Sequence, residues 1–169
     1  MSKSVLMSIR PEWCKLIVDG KKTVEVRKTR PKLETPFKVY IYCTLSGFKE
    51  FFRETLKGEI AEWNRGGWGN KIERVLGEFV CDRIFDISIT DEGYDFDVPK
   101  MTGLKYEEME AYLDHKEGYG WHISNLLIYE KPKELREFTK LRNTKFGLEP
   151  VSLVRPPQSW CYVEELEGE

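Results

Sequence analysis

The chain reads as an α+β protein built on a mixed sheet, and three observations carry that reading. Segments with strand-like alternation of β-branched and aromatic residues recur along it: Val5–Ile9, 22–28, Phe37–Cys43, Val75–Ile89, Trp121–Tyr129 and Ser159–Val163. Short helix signals fall between these segments rather than in a block of their own. The composition, 40% hydrophobic and 13% aromatic over 169 residues, is that of a globular chain large enough for one domain with its own core.

The elements follow in order. Val5–Ile9 is a first strand, and Pro11 holds Arg10 extended while suiting the first position of a helix. Trp13, Leu16 and Ile17 form the apolar stripe of that helix, and Gly20 fits the position just past its end. Residues 22–28 make a second strand, and Phe37–Cys43 a third with both faces partly buried. Ser46 can cap a helix whose apolar face is Phe48, Phe51, Phe52 and Leu56. The stretch 65–70 is a glycine-rich loop carrying Trp68, a candidate binding element. Val75–Ile89 is a long strand, and Asp91–Gly103 an acidic loop. Lys105–Leu113 is a helix with Met109, Tyr112 and Leu113 inward. Trp121–Tyr129 returns as a strand ended by Lys131 and Pro132, a short helix runs from Pro132 to Phe138, and Ser159–Val163 is the last strand. Without repeats, linkers or low-complexity segments, residues 1–169 are expected to form a single domain. These patterns alone do not separate a barrel from an open sheet.

Composition excludes several classes. No apolar run approaches the length of a membrane span, and Val5-Leu6-Met7 is too short for the apolar region of a signal peptide, so a cytoplasmic location without membrane contact is expected. Cys14, Cys43, Cys81 and Cys161 are widely spaced, with only His115 and His122 beside them, so free thiols are expected and no metal site. Asp91, Asp95 and Asp97 lack calcium-loop spacing. Phosphate-loop, dinucleotide-fold, nucleophile-elbow and zinc-protease patterns are absent, and no cofactor is expected. The formal net charge of −2 argues against a generic polyanion binder. Its distribution is uneven: residues 1–40 carry ten Lys/Arg against four acids, and residues 73–117 carry thirteen acids against five bases. Such polarity fits either a molecule with one anion-facing side or two ordinary solvated faces.

The segment from Gly20 to Arg27 is the most informative. On a strand, Thr23, Glu25 and Arg27 share one face, and Lys22 starts the other unless the strand twists at its beginning. A Lys, a Glu and an Arg converging there make a charged site suited to a phosphate, a base edge or a carbonyl, or else a structural ion-pair network.

The pattern Gly-x-Lys-x-x-Glu-x-Arg at Gly20, Lys22, Glu25 and Arg27, preceded by Ser8-Ile9-Arg10-Pro11-Glu12-Trp13 and followed near the end by Arg155 to Val163, resembles the ASCH domain (activating signal cointegrator homology) of phage and bacterial type. The resemblance implies a small mixed PUA-like β-barrel with peripheral helices and a cleft beside the helix at Pro11–Asp19. It also implies binding of RNA, a nucleotide or a modified nucleoside in that cleft. Arg10, Trp13, Lys22, Glu25, Arg27, Trp68, Gln158, Ser159 and Trp160 are the candidate binding residues. Arg27 or Lys22 can meet a phosphate, Glu25 can accept from an exocyclic amine, and Trp13, Trp68 and Trp160 can stack on bases.

Two alternatives stay open. Some small ASCH-like proteins are N4-acetylcytidine amidohydrolases that use a Lys and, three residues on, a Thr; others resemble ribonucleases. Here Glu25 takes the Thr place, which removes the hydroxyl, and a neighbouring Glu is expected to keep Lys22 protonated and a poor base. Lys22 and Glu25 are the catalytic candidates of that reading, with Ser159 added for a ribonuclease. The other alternative is a protein-interaction adaptor that presents the acidic 91–117 region to a protein partner.

Overall fold

A computed structural model of the chain describes residues 2–45, 71–88 and 93–168. The helix expected after Ser46 and the Trp68 loop lie outside them. Among the described residues, eight strands form a mixed sheet, with three helices: β1 (Lys3–Ile9), α1 (Pro11–Val18), β2 (Val24–Arg27), β3 (Phe37–Cys43), β4 (Arg74–Ile87), α2 (Val98–Thr102), α3 (Tyr106–Tyr112), β5 (Gly118–Lys133), β6 (Thr139–Thr144), β7 (Gly147–Ser152) and β8 (Trp160–Glu164). The strand order is β2-β5-β4-β3-β1-β8-β6-β7. The order does not close on itself among the described residues, so the α+β expectation holds and the barrel is a loose one.

Two compact units divide the chain. The first comprises Met1–Cys14, Lys38–Glu78 and Leu127–Glu169; the second comprises Lys15–Phe37 and Phe79–Leu126. In the first, β1 is buried from Ser4 to Ile9 because it has a neighbour on each side. It runs parallel to β3 in the register Val5↔Val39, and antiparallel to β8 with Val5 opposite Tyr162. Leu6, Tyr40, Val75, Phe138, Leu153 and Val163 pack together there. In the second unit β2 pairs antiparallel with β5, and Val24 and Val26 pack with Phe85, Phe96, Val98, Met109 and Leu113. β4 and β5 each run from one unit into the other, with residues 74–78 and 127–133 in the first and residues 79–87 and 118–126 in the second.

Three sequence expectations need correction. The acidic stretch Asp91–Gly103 is not all loop. It contains α2, started by the Asp97 carboxylate accepting from the Lys100 N–H at 3.2 Å, with Pro99 in the first turn and Gly103 ending it at φ +74°. β5 is longer than expected and runs through Pro132. The helix expected over Pro132–Phe138 shrinks to a single 3₁₀ turn, Leu135–Glu137, where the Glu134 N–H donates to the Glu137 carboxylate at 2.6 Å. The β6–β7 hairpin had no sequence signal strong enough to place it.

Gly77 is where β4 and β5 come too close for any side chain. A Cβ there would sit 2.4 Å from the Leu127 carbonyl oxygen, a backbone atom that cannot swing aside. Gly77→Ala is expected to cost about 1–3 kcal/mol, the usual range for overpacking. At roughly 2–4 °C per kcal/mol for a chain of this size, the melting temperature falls by several degrees. Gly168→Ala, where a Cβ meets nothing, should leave it unchanged. Equal melting temperatures for the two variants would refute the steric argument.

We propose that residues 1–169 fold as one domain, because two strands run from one unit into the other. Calorimetry is then expected to give one transition whose calorimetric and van't Hoff enthalpies agree. Two resolved transitions would refute it.

Candidate functional site

The site starts with the end of α1. Gly20 takes φ +71°, and its N–H reaches the Ile17 carbonyl at 3.0 Å. The N–H groups of Lys21 and Lys22 both reach the Leu16 carbonyl, at 2.9 and 3.0 Å. These bonds satisfy the last helical carbonyls and reverse the chain. A Cβ at Gly20 would meet nothing within 4 Å, so the backbone angle is what calls for glycine there.

β2 then runs beside β5 with Val24 opposite His122, Glu25 opposite Trp121, Val26 opposite Gly120 and Arg27 opposite Tyr119. Gly120 lets the two strands approach, since a Cβ there would lie 2.9 Å from Val24 Cγ1. With the two valines committed to the apolar cluster, alternation sends Glu25 and Arg27 to the opposite face. Lys22 precedes the first strand residue, so the pleat does not fix its direction, and its ammonium turns toward Glu25.

The three heads converge. Lys22 Nζ lies 3.5 Å from Glu25 Oε2, and Arg27 Nε lies 3.3 Å from Glu25 Oε1. Lys22 Nζ also donates to the Thr102 carbonyl at 2.7 Å, at the end of α2. Thr102 is held in turn by its hydroxyl donating to the Val98 carbonyl at 2.6 Å, and the Thr23 N–H donates to the Met101 carbonyl at 2.8 Å. Lys22, Glu25 and Arg27 are only 2%, 6% and 8% exposed, so the cluster is buried rather than spread along an open surface. Glu25 Oε2 accepts no hydrogen bond within ordinary reach, and the 3.5 Å approach of Lys22 leaves it with acceptor capacity.

Burial pushes the Lys22 ammonium below its ordinary pKa. The Glu25 carboxylate pulls it back up, and Arg27 adds to the lowering. The adjacent Glu acts to keep Lys22 protonated, as the sequence suggests, and burial, which the sequence does not show, acts the other way and is the larger effect.

The remaining candidates are distributed as follows. Arg10 is exposed, and its carbonyl accepts from the Trp13 and Cys14 N–H groups at 3.1 and 3.0 Å at the start of α1. Trp13 is half-buried on α1. Gln158 is exposed; Ser159 is half-buried, and its carbonyl accepts from the Ser8 N–H at 2.9 Å. Trp160 is half-buried and edge-on to Tyr162 at 5.3 Å. These five belong to the first unit, and Lys22, Glu25 and Arg27 to the second. Trp68 lies outside the described residues.

Sequence reasoning missed Thr102, which lies 80 residues from Lys22 and meets it through a backbone carbonyl that no side-chain pattern announces. It also missed the pairing of His122 Nδ1 with Asp82 Oδ1 at 2.6 Å. Beside that pair, Cys81 donates to the Arg83 carbonyl at 3.4 Å, and burial pushes its thiol up to about 12, which makes it a poor nucleophile. All four cysteines are free and buried, and no group of metal-ligating side chains occurs among the described residues. No helix among them is long and apolar enough to cross a membrane.

The family model described as "ASCH domain" matches residues 7–139. The chain belongs to the ASCH domain family, and its fold is PUA-like. Solved structures give the same picture of the fold. The crystal structure of ASCH from Zymomonas mobilis is 17% identical, with a TM-score of 0.55, covering 96% of this chain and 88% of that one. A Tyr-to-Phe mutant of the same ZmASCH is 18% identical, also at a TM-score of 0.55, covering 97% and 92%. None of the curated proteins matches the chain.

The electrostatics of this ASCH domain set a pH dependence. Well below its folded pKa, Lys22 is protonated in both folded and unfolded chains, and the burial penalty applies in full. Above the folded value the folded chain loses its proton first, so the unfolded chain binds more protons and stability rises with pH up to about 10.5. Unfolding wild type and Lys22→Met in urea from neutral to alkaline pH should therefore show the difference moving in favour of wild type as pH rises. A flat or falling difference would refute the lowered pKa. Glu25→Ala leaves two buried cations together and is expected to cost about 3–5 kcal/mol.

Proposed function

We propose that this ASCH domain binds RNA, or a nucleotide or modified nucleoside, with Glu25 reading an exocyclic amine of the base. The observation that carries the reading is the buried Glu25 Oε2, flanked by Lys22 and Arg27 and left with acceptor capacity. A buried carboxylate oxygen without a hydrogen bond is costly, and such groups call for an explanation. An amine N–H of cytosine or adenine would supply the missing donor. Arg27 Nε pairs with the other carboxylate oxygen at 3.3 Å, an ion pair without hydrogen-bond geometry that biases how the carboxylate is turned before a ligand arrives. With heads this buried, the reading favours a base edge entering a tight site over a backbone lying across them.

Calorimetric titration of the full chain with cytidine and with uridine tests this. Cytidine is expected to bind at least tenfold more tightly, and Glu25→Gln, which halves the acceptor and adds a donor, should remove the preference. Charge-assisted hydrogen bonds are worth about 1.5–3 kcal/mol, which sets that scale. Equal affinities in the wild type, or no binding of any nucleoside, would refute the assignment.

The lowered pKa of Lys22 keeps the hydrolase reading in view, since it moves the amine toward general-base work. Glu25 nevertheless stands where the amidohydrolases place a hydroxyl. Thr23 is fixed by its backbone, its N–H to the Met101 carbonyl and its carbonyl to the Ile123 N–H, each at 2.8 Å. The expected result with N4-acetylcytidine is binding without release of acetate. Acetate release that disappears in Lys22→Ala would overturn that.

A further inference from the structure

Within the second unit, the end of β2, the end of β4 and the turn between α3 and β5 border an open pocket of about 620 Å³, lined by Lys28, Ser88, His115, Lys116, Glu117 and Tyr119. Its volume falls within the range of about 300–1,000 Å³ of small-molecule sites. Its charge is opposite to that of its sequence neighbourhood. Residues 73–117 carry thirteen acids against five bases, yet of their members that line the pocket one is a lysine, one a histidine and one a glutamate. With Lys28 the lining reaches +1, or +2 when His115 is protonated. Arg30 adds a further cation 6.0 Å from the centre of the Tyr119 ring.

The walls are fixed by unusual backbone. Asp114 and His115 both take left-handed φ, +54° and +55°, side by side without a glycine. Their N–H groups are tied back to α3, Asp114 to Ala111 at 3.1 Å and His115 to Glu110 at 2.9 Å. Gly118 presses this turn onto β2, since a Cβ there would meet Leu113 Cδ2 at 2.5 Å and the Arg27 carbonyl at 3.2 Å. Left-handed non-glycine residues persist where the surroundings over-determine them, and they gather at ligand sites. Here the strain swings His115 and Lys116 to the same pocket as Lys28.

Lys28 ties the pocket to Glu25 along the chain. It follows Arg27, whose Nε lies 3.3 Å from Glu25 Oε1, and its own Nζ lies 5.4 Å from the centre of the Tyr112 ring.

We propose that this pocket is a phosphate subsite for the nucleotide whose base Glu25 reads, with Lys28 and Lys116 as the cations that meet the phosphate, the Ser88 hydroxyl as a donor and the Tyr119 ring as an apolar wall. The proposal takes its ligand class from the reading of Glu25 above, but it uses none of the same residues. The phosphate can come from a free mononucleotide or from a strand of RNA.

The test titrates the full chain with cytidine, cytidine 5′-monophosphate, inorganic phosphate and a short single-stranded cytidine oligonucleotide. Wild type is expected to bind the monophosphate at least tenfold more tightly than cytidine. The double variant Lys28→Gln/Lys116→Gln should bind both equally and leave the affinity for cytidine itself unchanged. Lys145→Gln/Lys140→Gln, with the same charge change on the β6–β7 hairpin, should keep the preference. In wild type, the amide signals of His115 and Lys116 are expected to shift on adding monophosphate and not on adding cytidine, a readout that does not depend on any variant folding. A tighter oligonucleotide than monophosphate identifies RNA as the source, and the reverse identifies a free nucleotide.

Equal affinity of wild type for cytidine and its monophosphate overturns the pocket while leaving the Glu25 reading intact. So does a preference that survives in the Lys28/Lys116 variant. Monophosphate or inorganic phosphate shifting His115 and Lys116 while cytidine and uridine fail to bind supports the pocket and sinks the Glu25 reading. Absence of every ligand overturns both.

Discussion

The Lys22 ammonium is the contact around which the second unit is arranged. Its partners come from three places in the sequence: the Thr102 carbonyl at the end of α2, the Glu25 carboxylate on β2, and through Glu25 the Arg27 guanidinium. Taking such a charge out of water costs several kcal/mol even after relaxation. The fold offsets that cost only by holding all of these groups in one geometry. α1 must stop at Gly20 so that Lys22 precedes the strand, and α2 must end where its carbonyl faces the amine. β2 must lie against β5 so that its valines face the apolar cluster and Glu25 does not. A charged cluster of this kind is weak evidence for stability, since well-packed apolar side chains could do as much. Its presence fits the chemistry proposed for the carboxylate.

Part of this was legible in the residues themselves. The alternation Val24-Glu25-Val26-Arg27 put the two charged residues on one face, and Gly20 marked the helix end. The pattern of strands gave α+β, and the family resemblance gave the PUA-like arrangement. Burial of the cluster was not legible. Three charges in six residues look solvated, and what buries them is a partner 80 residues away, reached through backbone. For the same reason only one side of the competition over Lys22 was legible: a neighbouring carboxylate is visible in sequence and desolvation is not.

The misses elsewhere have separate causes. The signals for α2 were present, with Asp97 at the cap, Pro99 in the first turn and Gly103 at the end, but five residues are too few to show a helical period in an acidic stretch. β6 and β7 were silent because they form an exposed hairpin with little to bury. Leu141 is the one buried residue of β6, and β7 is exposed along nearly its whole length. Pro150 lies in β7, the edge of the sheet, where a missing backbone donor is tolerated.

Reading Glu25 as a binding group rather than part of a catalytic pair follows from what each chemistry needs. Hydrolysis needs a nucleophile beside a base, and here the position that would carry the hydroxyl carries a carboxylate held by two cations. A carboxylate so flanked is itself a poor nucleophile. It remains an acceptor of fixed direction in a site of low dielectric, where a hydrogen bond is stronger and an unmet one costs more. Both effects favour a ligand that presents a donor and penalise one that presents an acceptor. On the proposed reading the site would discriminate between bases, because a base with a carbonyl at that position would set two acceptors against each other.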